Sequence, residues 1–170
     1  MTRPRLALTI AGLTALAAGA LAAAPLPYAK PGLWVIAQHS GTGRTYTTKL
    51  CSDKATQASM LNMGNGMTAQ MCSKQDMTAN GNQVQIDAVC HMGPTTITSR
   101  TVVTYAGDSA FQVVNDGTFS PAFMGKTTSH TTMDAKWSGA CPAGMAPGDM
   151  VGPTGMRMRF TGGSVVPAGH

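Results

Sequence analysis

Cysteine, methionine, histidine and aspartate are the side chains of this sequence that could do chemistry. The cysteines are Cys51, Cys72, Cys90 and Cys141. They lack the Cys-x-x-Cys spacing of a redox centre and the close ligand pairs of a zinc site. An even number in an oxidising compartment favours two disulfides. Cys72 and Cys90 are placed symmetrically about Gly81, and Asn80-Gly81 is a strong hairpin signal. A three-residue loop centred on Gly81 sets the two cysteines opposite each other, with Cβ atoms ~4.5–5.5 Å apart. That spacing suits a disulfide. Cys72–Cys90 is therefore the leading pair, leaving Cys51–Cys141 to close the longer loop, worth ~4–5 kcal/mol in the chain-entropy account. Cys51–Cys72 with Cys90–Cys141 is the alternative. One tension accompanies the leading pairing. Cys72 shares strand parity with Gln70, Lys74 and Asp76, so it needs either a bulge or polar residues overhanging the core edge.

Methionine is abundant, at 13 residues. Met60, Met63 and Met67 lie close together, Met156 and Met158 straddle Arg157, and His91 precedes Met92. Thioethers suit a soft cation such as Cu(I), so a copper-binding protein is one alternative reading. Against it, methionine also packs irregular cores. The histidines are dispersed at His39, His91, His130 and His170. His130 and Asp134 share a strand face but stand ~13 Å apart, which is a wet surface and not a catalytic dyad. No phosphate loop or paired-carboxylate signature is present. The sequence therefore predicts no catalytic residue, no cofactor and no metal site, with an enzyme of unknown reaction as the second alternative.

These side chains must be positioned by a domain, and the N-terminus indicates where that domain folds. Arg3 and Arg5 precede an uncharged apolar run, Leu6 to Leu21, followed by a small-residue Ala-Leu-Ala signal and the breakers Pro25 and Pro27. That pattern predicts a signal peptide over 1–22, cleaved near Ala22, and a periplasmic or secreted protein. The run is shorter than the ~20 residues of a bilayer span, so the mature chain is expected to have no transmembrane segment. Removing Arg3 and Arg5 lowers the net charge from +5 to +3. The remaining basic residues are scattered without interleaved aromatics, which argues against nucleic-acid binding.

Thr- and Val-rich alternating runs, with little Leu and no Glu, predict a mainly β fold. Strands are expected at 32–38, 43–50, on both sides of the Asn80-Gly81 turn, and at 96–105, 110–114 and 126–137. Asn115-Asp116-Gly117 reads as a turn. A short helix is expected over 53–63, capped by Ser52 and ended by Gly64. Consecutive hairpins make an antiparallel meander, and about seven strands are expected to curl into a barrel or half-barrel that hides its edges. After a short linker at 23–29, the disulfide-stapled β domain is placed at 30–141. The Gly/Pro/Met-rich remainder, 142–170, reads as a flexible tail. Trp34, Tyr105, Phe111 and Trp137 are the aromatics expected inside, as core or as cavity lining.

Five signatures occur in order: KPGLW at 30–34, LCSDKAT at 50–56, the Cys72 and Cys90 hairpin, TYAGDSAF at 104–111 and KWSGAC at 136–141. In this the chain resembles the small exported bacterial proteins grouped as domain of unknown function 3617. The resemblance covers residues 30–141 and implies a periplasmic, mostly antiparallel fold. It carries over no catalytic residue. Val35 stands where that family usually has Glu, and Ala140 where it commonly has Asp before the last cysteine. The reading is a non-enzymatic exported protein that binds a small apolar ligand or a cell-envelope component.

Overall fold

The structure, a computed structural model, describes residues 29–161 and 164–167. The expected signal peptide with its cleavage site, nearly all of the 23–29 linker, and His170 lie outside the described residues.

Alternation of β-branched and polar residues yields strands throughout. In chain order they are β1 (Gly32–Ser40), β2 (Thr45–Ser52), β3 (Cys72–Asn80), β4 (Gln83–Met92), β5 (Thr95–Ala106), β6 (Ala110–Phe123), β7 (Lys126–Trp137), β8 (Asp149–Val151), β9 (Arg157–Thr161) and β10 (Ser164–Pro167). A single helix, α1 (Lys54–Met71), separates β2 from β3. All ten strands form one antiparallel sheet in the order β10-β9-β8-β2-β1-β7-β6-β5-β4-β3. The mainly β class, the meander from β3 to β7 and the one helix agree with the sequence. The sheet does not close into a barrel. Pairing of β1 with β7 leaves β2 free to accept β8, while the helix carries the chain to the far edge at β3. That edge is protected by a bulge between Cys72 and Lys74 and by charged Lys74 and Asp76.

Three boundaries differ from the expectation, each for a local reason. The helix is capped by Asp53, whose Oδ1 accepts from the Thr56 amide at 2.7 Å, and it continues through Gly64 and Gly66 to Met71. Crossing from β2 to the far edge needs that length, ~27 Å for 18 residues. Second, Asn115-Asp116-Gly117 lies in mid-strand. Asn115 Nδ2 donates to Thr101 Oγ1 at 2.6 Å, and Asp116 pairs with His130 at 2.7 Å, so both side chains are held across the ladder instead of folding back on their own backbone. Gly117 is buried, and a Cβ there would stand 2.7 Å from Ser129 Oγ. This glycine admits a neighbouring strand and makes no turn.

Third, the segment after Cys141 is not a tail without a core. It adds β8 to β10, and Asp149 and Phe160 are buried. Asp149 accepts from the Ala146 amide at 2.9 Å and from Arg159 Nε at 2.5 Å and Nη2 at 3.1 Å. The Arg159 guanidinium lowers the Asp149 carboxyl to about 2, outweighing the burial that would raise it. The core proper is small and lies on the same side of the sheet as α1. Trp34, Leu50 and Ala135 are its buried centre, with Ile36, Met60, Phe111, Trp137 and Met150 packed around them. Trp34 and Phe111 ring centroids lie 5.5 Å apart, and Tyr105 meets Phe111 at 6.0 Å.

Candidate functional site

The cysteines pair as Cys51–Cys141 and Cys72–Cys90, the leading connectivity of the sequence reading. The hairpin reaches this pairing by another route than the expected three-residue loop. Asn80 faces Gln83 across a two-residue turn at Gly81 and Asn82, which would leave Cys72 out of register with Cys90. The bulge at Ser73 restores the register, so the parity tension is resolved by one extra residue. Cys72–Cys90 joins β3 to β4, Cys51–Cys141 joins β2 to the segment after β7, and no free cysteine remains. Their role is to staple.

The Pro-Gly-Leu-Trp signature has a packing explanation. Trp34 Nε1 donates to the Lys30 carbonyl at 2.8 Å, and Trp137 Nε1 donates to the Pro31 carbonyl at 3.0 Å. The Lys30 ammonium sits 4.0 Å above the Trp137 ring. Between them Gly32, at φ +135°, brings its backbone so near Gly139 that a Cβ would meet the Gly139 carbonyl oxygen and Trp137 Nε1. The first and last signatures of the chain are thus two halves of one joint, locked beside the Cys51–Cys141 bond. Of the four predicted aromatics, Trp34 is buried and Tyr105, Phe111 and Trp137 are half-buried, all in or against the core cluster.

Strand register sorts the remaining side chains onto two faces. One face of β4 to β7 carries Ile86, Ile97, Val103, Val113, Phe119 and Met133 in the same alternation as Phe111 and Ala135. None of these six is fully buried; all are half-buried. Helix α1 crosses this side, and its stripe Thr56, Met60, Met63, Met67 has the i, i+4, i+7, i+11 spacing of one face. Burial falls along the stripe. Thr56 is buried, Met60 packs against the core, Met63 is half-buried and Met67 is 55% exposed. The helix is therefore tied down at both ends, by Thr56 and Met60 at the core and by the half-buried Met71 where the chain enters β3, and it leaves Met67 open beside an apolar wedge.

The other face carries the charges. His130, Asp116, Arg100, Asp87 and Asp76 are successive cross-strand partners, one on each strand from β7 to β3. Arg100 Nε donates to Asp87 Oδ1 at 2.8 Å, and Gln85 Nε2 donates to Asp87 Oδ2 at 2.6 Å. These bonds hold the Asp87 carboxyl below its ordinary value, Arg100 foremost. His130 Nδ1 and Asp116 Oδ1 lie 2.7 Å apart, and Thr132 Oγ1 lies 3.4 Å from His130 Nε2. Sequence reasoning weighed His130 against Asp134 and missed Asp116, because the Asn-Asp-Gly signal reads as a turn. Asp134 instead meets His39 at 3.4 Å and Gln112 at 2.9 Å. An Asp–His–Thr chain has the order of a nucleophilic site. Here the imidazole and the carboxylate are more than half exposed, and the surrounding backbone N–H groups are engaged in the ladder. A groove of 1190 Å³ is lined by His130, Asp116, Arg100 and Asp87 of this row together with Arg44, Tyr46 and Lys126 and with hydroxyls from both strand alternations.

The methionines proposed as soft ligands are dispersed. Met60 packs in the core, Met67, Met92 and Met156 are exposed, and Met158 lies opposite Met150 at the other end of the sheet. Among the described residues no three His, Cys, Asp or Glu side chains are gathered as a metal site. Among those residues, too, no helix is long and apolar enough to cross a membrane.

No curated protein matches the chain. A solved redesigned β-barrel is similar over 64% of this chain and 91% of its own, at 11% identity and a TM-score of 0.25. A likeness that low carries no argument about fold or function. The model of one protein family matches residues 29–141, from the Lys30–Trp137 joint to the last cysteine, and β8 to β10 lie beyond it. The chain belongs to that family, described as "Protein of unknown function (DUF3617)".

Proposed function

We propose that this is an exported, non-enzymatic binding module that takes a small apolar ligand between helix α1 and the sheet. The supporting observation is the wedge. The helix face is buried at Thr56 but 55% exposed at Met67, and six apolar side chains on the same side of β4 to β7 are only half-buried. An apolar ligand entering there removes both surfaces from water at about 25 cal/mol per Å². Two disulfides are consistent with folding in an oxidising compartment, which supports export. The non-enzymatic reading rests on the exposure of the Asp116–His130–Thr132 chain and on the engagement of the nearby backbone donors.

The test is titration of the disulfide-bonded protein with N-phenyl-1-naphthylamine, whose fluorescence rises in apolar surroundings. Saturable binding is expected, weakened about tenfold or more by Val113→Asp, since a carboxylate in the wedge must be desolvated. Circular dichroism verifies that the variant folds. Wild-type protein that gives no saturable signal, or a folded variant that binds equally well, overturns the proposal. Native mass spectrometry of protein taken from the periplasm would identify a retained ligand.

A further inference from the structure

We infer that the polar groove is a second binding site, for an anionic oligosaccharide such as a uronic-acid chain. It goes beyond the apolar wedge and is independent of it, because none of the six apolar side chains of the wedge lines the groove, and the charged row projects from the face opposite Ala135 and Phe111. The argument begins with charge. Within the groove Arg100 is matched by Asp87, and His130 by Asp116. Arg44 and Lys126 line the same groove and form no ion pair among the described residues. Arg44, Arg100 and Lys126 stand against Asp87 and Asp116 in the lining, one cation in excess with histidine counted as neutral, and the unpaired Arg44 of the β1–β2 hairpin and Lys126 at the start of β7 select an anion.

The rest of the lining fits a sugar. The Thr and Ser hydroxyls that line the groove on β5, β6 and β7 are donors and acceptors at once, matching a polyol. Tyr46, 41% exposed, also contributes to the lining. A volume of 1190 Å³ accommodates several sugar units and is larger than a lone phosphate needs.

Isothermal titration calorimetry of the wild-type, disulfide-bonded protein with trigalacturonic acid, maltotriose and inorganic phosphate tests the site. Saturable binding of trigalacturonic acid is expected, weakening with added salt, with maltotriose and phosphate each at least about tenfold weaker, because each supplies only half of the recognition. The double variant Arg44→Ala/Lys126→Ala should lose about tenfold or more for the acid. Both residues are exposed and outside the core, so folding should persist, and Tyr46→Ala provides a second, uncharged probe with a loss of several-fold. The inference is overturned if the acid fails to bind, if maltotriose or phosphate binds as well as the acid, or if the double variant binds like wild type. N-phenyl-1-naphthylamine binding in the double variant should be unchanged, which separates failure of this site from failure of the apolar one.

Discussion

The two halves of the sheet are built on different principles. Around β8, β2, β1 and β7 the chain is locked. Trp34, Leu50, Cys51 and Ala135 are buried, the Lys30–Trp34 and Trp137–Gly139 segments clasp each other, and a disulfide bridges residues 90 apart in sequence. Across β3 to β6 the fully enclosed apolar side chain is Val84, and the strands are held by the ladder, by polar cross-strand pairs and by a disulfide spanning only 18 residues. The first half has the packing that supplies stability. The second keeps both of its faces accessible, one apolar and one charged. A sheet with one anchored half can leave the other half open because the ladder transmits order from strand to strand, and open faces are where ligands can bind.

That contrast can be broken or sharpened by experiment. The largest expected effect is removal of Cys51–Cys141 by C51A/C141A, about 4.6 kcal/mol on the chain-entropy account, against about 3.2 kcal/mol for C72A/C90A. Chemical denaturation of both variants checks the ranking, and equal losses would mean the two halves are equally anchored. Next comes Gly32→Ala, expected to cost about 2–4 kcal/mol. Its Cβ meets backbone and a buried-side ring nitrogen that cannot withdraw, so a melting temperature unchanged from wild type would refute the clasp.

A smaller effect, about 1–3 kcal/mol, is expected of Asp149→Asn, which weakens charge-assisted bonds at the β8–β9 extension of the locked half. The pH dependence has a definite sign. The folded-state carboxyl lies at about 2, below its ordinary value of 3.8, so its stabilisation is complete above that ordinary value and is lost as pH falls from about 4 to about 2. Asp149→Asn should flatten that part of the acid denaturation curve; a curve identical to wild type would remove this pair from the account. The smallest effect belongs to the open half. Lys74→Ala breaks an exposed ion pair at the sheet edge and should leave the melting temperature within error of wild type, while a measurable drop would show that the edge is tied more tightly than its exposure indicates.

Much of the architecture was legible in the sequence. Period-2 patterning marked β1, β2, β4, β5 and β7, with β7 placed at its observed bounds of Lys126–Trp137. The cysteine hairpin is readable from its Asn-Gly turn and its parity, which leaves a bulge as one of two options; the two-residue loop and the bulge at Ser73 come from the structure. What failed was punctuation. Gly64 was read as a helix stop, yet the helix passes through it because β3 lies across the sheet. Asn115-Asp116-Gly117 was read as a turn, yet Thr101, His130 and Ser129 on the flanking strands accommodate all three residues. The Gly/Pro-rich end was read as a tail because it has no sustained period. Its order depends on one buried carboxylate and on docking of β8 against β2, neither of which shows as a pattern.

The candidate sites were less legible for the same reason. Which residues alternate is a property of a strand, but which charges face one another depends on register between strands. His130 finds Asp116 and not Asp134 because β6 pairs with β7 in one particular alignment. The sequence by itself determined the β class and the aromatic set that gathers at the core, and ranked the observed cysteine pairing ahead of Cys51–Cys72 with Cys90–Cys141, since these follow from local periodicity, turn chemistry and apolar content. Only the tertiary structure decided that the sheet stays open, that the helix leaves Met67 exposed, and that two cations remain unmatched beside a charged row. Those features arise from the packing of elements distant in the chain, which no local pattern encodes.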